Sequence, residues 1–356
     1  MKAAAMKGSI QSVRYIGTFP RHRAEAWVMV GQDGGQSIPL QDGTLFVFSD
    51  TLLAARGALA HPRSPVPRPF TDVTGGQGVF LANSAGVAPP APLTQAWAGI
   101  RYYTGEGGFP REILRPIARE QAQRIRFWPE HGALVDGKVL LYYLGIQTVD
   151  ASTIWGFRTL GTGVATLDPA TGETERVWFG DDWRLWKSPG DDAHFGVQVL
   201  RHDGYLYVFG SMRVGIFTLA RLARVRPSEA TSPGAYEYLT STAPEWSGDL
   251  ERACDLGVCA NEYSVSFNPH LGRYVMFYVD IFDRMLTART AEHPWGPYSE
   301  PEKITGVPAE PESELVYLGF EHPDFSQDGG RTLFISYCQP RFTSNSLIQV
   351  RLRERG

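Results

Sequence analysis

"PLQDGTLFVFSD" at positions 39–50 is the stretch on which the fold turns. An extended segment meets an Asp-Gly pair, which tolerates positive φ, and a β-branched and aromatic run follows. That is hairpin chemistry. The pattern returns as "ALVDGKVLLYYL" (133–144) and "VLRHDGYLYVFGS" (199–211), and more loosely as "SFNPHLGRYVMFYVD" (266–280) and "DFSQDGGRTLFISY" (324–337). The turn glycines Gly43, Gly137, Gly204, Gly272 and Gly329 are spaced 94, 67, 68 and 57 residues apart. Each interval leaves room for about two further strands of ordinary length. "GTGVATLDPATGETERVWF" (161–179) and "RMLTARTAEHPWGPYSEPEKI" (284–304) have the look of such outer strands.

Five four-stranded units read as an all-β, five-bladed β-propeller, with antiparallel blades packed around a central channel. A pair of β-sandwiches, or six blades with one degenerate, are the competing arrangements; five clear hairpins favour five blades. The chain is expected to form one domain over 1–356. The Pro/Gly-rich stretch 57–92 reads as part of a rim insertion near 57–125, and 111–124 ("REILRPIAREQAQR") as a helix.

Composition narrows the function. The chain is 43% hydrophobic and 12% aromatic, enough for a large core. Its 34 basic and 38 acidic residues leave a formal charge of −4, with no basic cluster among aromatics, so nucleic acid is not an expected partner. No apolar run reaches the roughly 20 residues that span a bilayer, so no membrane partner is expected either. The N-terminus "MKAAAMKGSIQSVRYIG" lacks the apolar stretch of a secretory signal, which fits a cytoplasmic protein or a mature secreted one. A monomer is expected. Cys254 and Cys259 ("CDLGVC") could pair across a short loop, with Cys338 left over, and four ligands at zinc spacing are absent.

Candidate site residues follow from the repeat. Asp42, Asp136, Asp203 and Asp328 occupy turns and need no further role. Asp33 lies 10 residues before Gly43, and the same offset reaches His194 in the third unit and Glu262 in the fourth. An offset of 7 reaches Glu130 in the second unit and His322 in the fifth. The first strands of propeller blades run the same way around the channel, so their starting residues should surround one mouth. Acids there are costly to bury unless paired or used. Asp33, Glu130 and Glu262 are the catalytic candidates. His194 and His322 are candidates for contacting substrate, and Asp50 for positioning a site residue. Trp128, Trp183 and Trp186 could stack on sugar faces.

The segment "GQDGGQSIPLQDGTLFVFSDT" resembles the first-blade signature of a bacterial five-bladed propeller family first defined only as an uncharacterised domain. That signature ends in Phe-Gly-Asp-Thr, with Ser49 here in place of the glycine. "NEYSVSFNPHLGRYVMFYV" (261–279) and "AEHPWGPYSEPEKI" (291–304) are similar to later segments of such propellers. The resemblance implies a glycoside hydrolase that cleaves a furanose-containing polysaccharide of arabinan type, as do the endo-D-arabinanases of that family. More distantly it implies kinship with the family 43-like furanosidase propellers, in which three acids act as base or nucleophile, proton donor and pKa-tuning group. Asp33 matches by motif; Glu130 and Glu262 match by blade position. No cofactor is required, although the resemblance allows a structural calcium in the channel near His322. A non-catalytic carbohydrate-binding propeller and a protein-interaction scaffold are the alternatives. Acids at equivalent strand starts favour a carbohydrate site over a scaffold.

Overall fold

The computed structural model describes residues 6–55, 78–152, 156–187, 193–309, 315–339 and 344–354. Five antiparallel sheets form a five-bladed propeller. Blade 1 starts with Trp27–Pro39, blade 2 with Ile125–Val135, blade 3 with Ala193–His202, blade 4 with Ser264–Asn268 and blade 5 with Tyr317–Glu321. Each of these inner strands pairs with the next strand of its blade through the hairpins seen in the sequence. Asp136 and Gly137, like Asp203 and Gly204, both take positive φ, so two of the Asp-Gly pairs are hairpin turns of the primed kind. At Gly43 a Cβ would stand 2.3 Å from the Ala88 carbonyl, so close approach as well as φ requires glycine there.

Blade 5 is closed in a way the repeat does not reveal. Its outermost strand is Ile10–Thr18, from the start of the chain, laid antiparallel against Ser344–Leu352 from its end. Backbone hydrogen bonds between the two ends thus lock the ring.

The core lies between blades. One apolar cluster fills each seam, from Ile38, Val47, Leu141 and Ala165 between blades 1 and 2 to Phe46, Phe48, Phe325 and Leu347 between blades 5 and 1. Second strands such as "TLFVFS" are buried on both faces, which explains their unbroken apolar runs.

Two expectations are corrected and one open question is answered. Within the supposed rim insertion, 57–77 lies outside the described residues, but Ser84–Ala88 and Arg101–Tyr102 are the third and fourth strands of blade 1. Helix over 111–124 shrinks to Ala118–Ala122, because Pro116 disfavours helical geometry in the residue before it. That short helix is anchored to blade 2 by Glu120, which pairs with Arg176 at 2.7 Å. Cys254 and Cys259 are free thiols, Cys259 being built into a two-residue strand that pairs with Thr218 and Leu219.

Candidate active site

Asp33 is aimed by its glycines. The inner strand of blade 1 carries register shifts between Met29 and Gly31, between Gln32 and Gly34, and between Gly34 and Gln36. Gly34 and Gly35 supply the positive φ values, 83° and 100°, that such bulges need. The Gly34 N–H donates to Asp33 Oδ1 at 2.6 Å, and the Tyr317 hydroxyl and Cys338 thiol of blade 5 donate to the same carboxylate.

Glu130 is likewise set in a bulge, between Pro129 and Gly132, and is only 5% exposed. Glu262 stands just before the inner strand of blade 4. The next residue, Tyr263, is buried and donates its hydroxyl to the Gly210 carbonyl of blade 3 at 2.6 Å, which fixes the backbone from which Glu262 projects.

The three acids share one environment. Burial raises the Glu130 carboxyl first, and the Asp33 charge adds to bring it up to about 8. Glu262 is pushed well above the carboxylate range by burial and then by the charges of Glu130 and Asp33. Burial raises Asp33 too, but its three donors oppose the rise, so Asp33 is the acid best equipped to stay ionised. Asp33 and Glu262 keep partial solvent access. Segments separated by 97 and 229 residues in sequence thus bring three carboxyl groups near enough to feel one another's charge.

Asp50 accepts the Trp128 indole N–H at 2.8 Å across the seam of blades 1 and 2. Burial lifts it to about 6 against the pull of Arg126. Trp128 is half-buried and sits 5.0 Å edge-on from Phe157. His194, half-buried at the entrance of blade 3, has Nδ1 3.2 Å from the Ser211 hydroxyl.

His322 does not reach the mouth. It is fully buried beyond the end of the inner strand, with Nδ1 2.8 Å from Ser37 Oγ and Nε2 2.9 Å from Ser336 Oγ. Both ring nitrogens are engaged, so His322 offers neither a lone pair to a cation nor a surface to a sugar. The offset fails here because two 3₁₀ turns lengthen the blade 5 hairpin loop, and Tyr317, opposite Cys338, takes the mouth position instead. Among the described residues no group of three or more His, Cys, Asp and Glu suits a metal ion, so no step is routed through calcium. Trp183 and Trp186 are 6% exposed members of the seam cores and cannot stack on a ligand.

Tyr317, Cys338 and His131 escaped the sequence reading. His131 follows Glu130 within the bulge and accepts the Val199 N–H at 3.3 Å. Aligning the second strands of the blades, rather than counting back from turns, would have found Tyr317; nothing local marks Cys338.

The fold is thus a five-bladed propeller in which three buried acids are coupled by charge. The chain belongs to the family described as "domain of unknown function (DUF5005)", matched over residues 18–348. No curated protein sequence matches it. Among solved structures it is similar to a "putative hydrolase" from Bacteroides ovatus, with a TM-score of 0.67 at 17% identity over 92% of this chain and 87% of that one. It is also similar to the GH43_1 enzyme from Xanthomonas citri complexed with xylotriose, with a TM-score of 0.51 at 13% identity over 96% and 92%. These likenesses are of fold.

Proposed function

We propose that the protein is a glycoside hydrolase acting on a furanose-containing, arabinan-like polysaccharide. The observation that carries this reading is the coupling of Asp33, Glu130 and Glu262, with protonation spread across them. Glycoside cleavage needs an ionised carboxylate and a protonated acid flanking one bond, and enzymes obtain the pair by pushing the pKa values of neighbouring acids apart. Asp33, held by three donors, is the ionised partner. It acts as the base that takes a proton from water, or as the nucleophile. Glu262, raised and solvent-accessible, is the proton donor to the leaving oxygen as the carbon–oxygen bond breaks. Glu130, too enclosed to touch a leaving group, holds the electrostatic balance between the other two. The propeller fold shared with the GH43_1 enzyme and the first-blade resemblance support a carbohydrate substrate; the arabinan assignment rests on the resemblance.

A hydrolysis screen of the full chain against arabinan, arabinogalactan, fructan and xylan, with Asp33→Asn as control, tests this. Reducing ends released from arabinan by the parent and not by the variant are expected. No product from any polymer would overturn the hydrolase reading.

A further inference from the structure

Arg126 is a charged group that the proposed reaction does not use. It lies two residues before Trp128 on the inner strand of blade 2, and so on the same side of that strand. Its guanidinium carbon is 5.8 Å from the Trp128 ring centre and 5.5 Å from that of Phe80, which belongs to the strand Gly78–Leu81 at the edge of blade 1. Its Nε–H is buried without a hydrogen-bond partner. Buried N–H groups nearly always find partners, and an arginine Nε–H left without one is the exception. The carboxyl groups of Asp50 and Glu112 lie near enough to feel its charge, and Glu112 is positioned by the Ala82 N–H at 2.8 Å. Phe80 and Glu112 continue into an open cleft of about 530 Å³, which Phe109, Arg115 and Gln121 help to line.

A chain of neighbours thus leads outward: Asp33 to Asp50 by charge, Asp50 to Trp128 by hydrogen bond, Trp128 to Arg126 and Arg126 to Phe80 by cation–ring contact, then the cleft. We propose that this seam of blades 1 and 2 is a groove that binds sugar units beyond the one being cleaved. Exposed ring surface suits sugar faces, while Arg126 beside Glu112 and Asp50 offers a donor next to acceptors, the combination that adjacent hydroxyls satisfy. The groove rests on the hydrolase reading for its direction from Asp33, but binding tests it separately.

The test is affinity gel electrophoresis of the full chain carrying Asp33→Asn, with arabinan, arabinogalactan, fructan or xylan in the gel. The same variant with Arg126→Ala or Phe80→Ala added is run beside it, with circular dichroism confirming that each is folded. Phe80, partly exposed at a sheet edge, serves if Arg126→Ala does not fold. At least one of these polymers should retard the Asp33→Asn protein, and either added change should weaken retention about tenfold, the effect of losing one good contact. No retardation by any of these polymers, or retention indifferent to both changes, would overturn the groove. If the parent cuts a polymer whose binding ignores Arg126 and Phe80, the groove falls and the hydrolase reading stands. If the parent cuts nothing but a polymer binds through Arg126, the reverse holds.

Discussion

At the mouth of the channel, Asp33, Glu130 and Glu262 bring carboxyl groups from blades 1, 2 and 4 together, each raising or being raised by another. Further along the inner strand of blade 5, Glu321 and His322 are as deeply buried, but their surroundings are complementary. Ser266 donates to Glu321 Oε2 at 2.6 Å, Ser264 Oγ accepts the Glu321 N–H at 2.8 Å, and Ser37 and Ser336 flank the His322 ring. Burial with neutral hydrogen-bonding partners specifies structure; burial of like charges against one another costs stability and is kept where it is used. The difference teaches where to look for chemistry in this propeller.

The largest expected effect separates the two clusters directly. Asp33→Asn is nearly isosteric, and should cost on the order of 10²–10⁴-fold in kcat while leaving the fold intact. Parent-like turnover by the variant on a cleavable substrate would remove Asp33 from the reaction.

Glu262→Gln should lower kcat on natural glycan by a similar order, yet spare aryl glycosides whose leaving groups need no proton. Equal losses on both substrates would take the donor role from Glu262.

The third comparison concerns Glu130 and pH. Its folded pKa of about 8 stands above the ordinary value of 4.5, so the folded protein holds a proton that the unfolded chain has lost. Stability from this group is therefore greatest below pH 4.5, falls as pH rises, and reaches its full deficit above pH 8, with an upper bound of roughly 5 kcal/mol. Glu130→Gln should raise the Tm at pH 8 and leave it little changed at pH 4. A variant less stable than the parent at pH 8 would mean that Glu130 is satisfied, as Glu321 is.

His322→Ala should do the reverse: lose about 2–4 kcal/mol in urea unfolding, from a cavity and two stranded hydroxyls, while the folded fraction keeps the shape of its pH–rate profile. A changed profile with undiminished stability would return His322 to the site.

How much was legible is clear from particular residues. Gly137 and Gly204 announced their turns because a two-residue hairpin is a local event, governed by φ and side-chain type. Asp33 stood out because glycines around an acid ask for a reason. Glu130 and Glu262 were reached by counting from turns, which works where hairpin loops are short and fails in blade 5, where the loop is longer and Tyr317 replaces His322. Arg126 and Cys338 carry no local mark, since their meaning lies in neighbours from other blades.

The sequence by itself determined the hairpins, their number and hence the blades, because turn chemistry and alternating burial act over a few residues. Only the tertiary structure decided that the two ends of the chain share blade 5, and that the acids set in the bulges of blades 1 and 2 lie within reach of each other's charge. The physical reason is range: desolvation and charge coupling depend on atoms brought near by folding, and the acids at this mouth come from blades up to 229 residues apart.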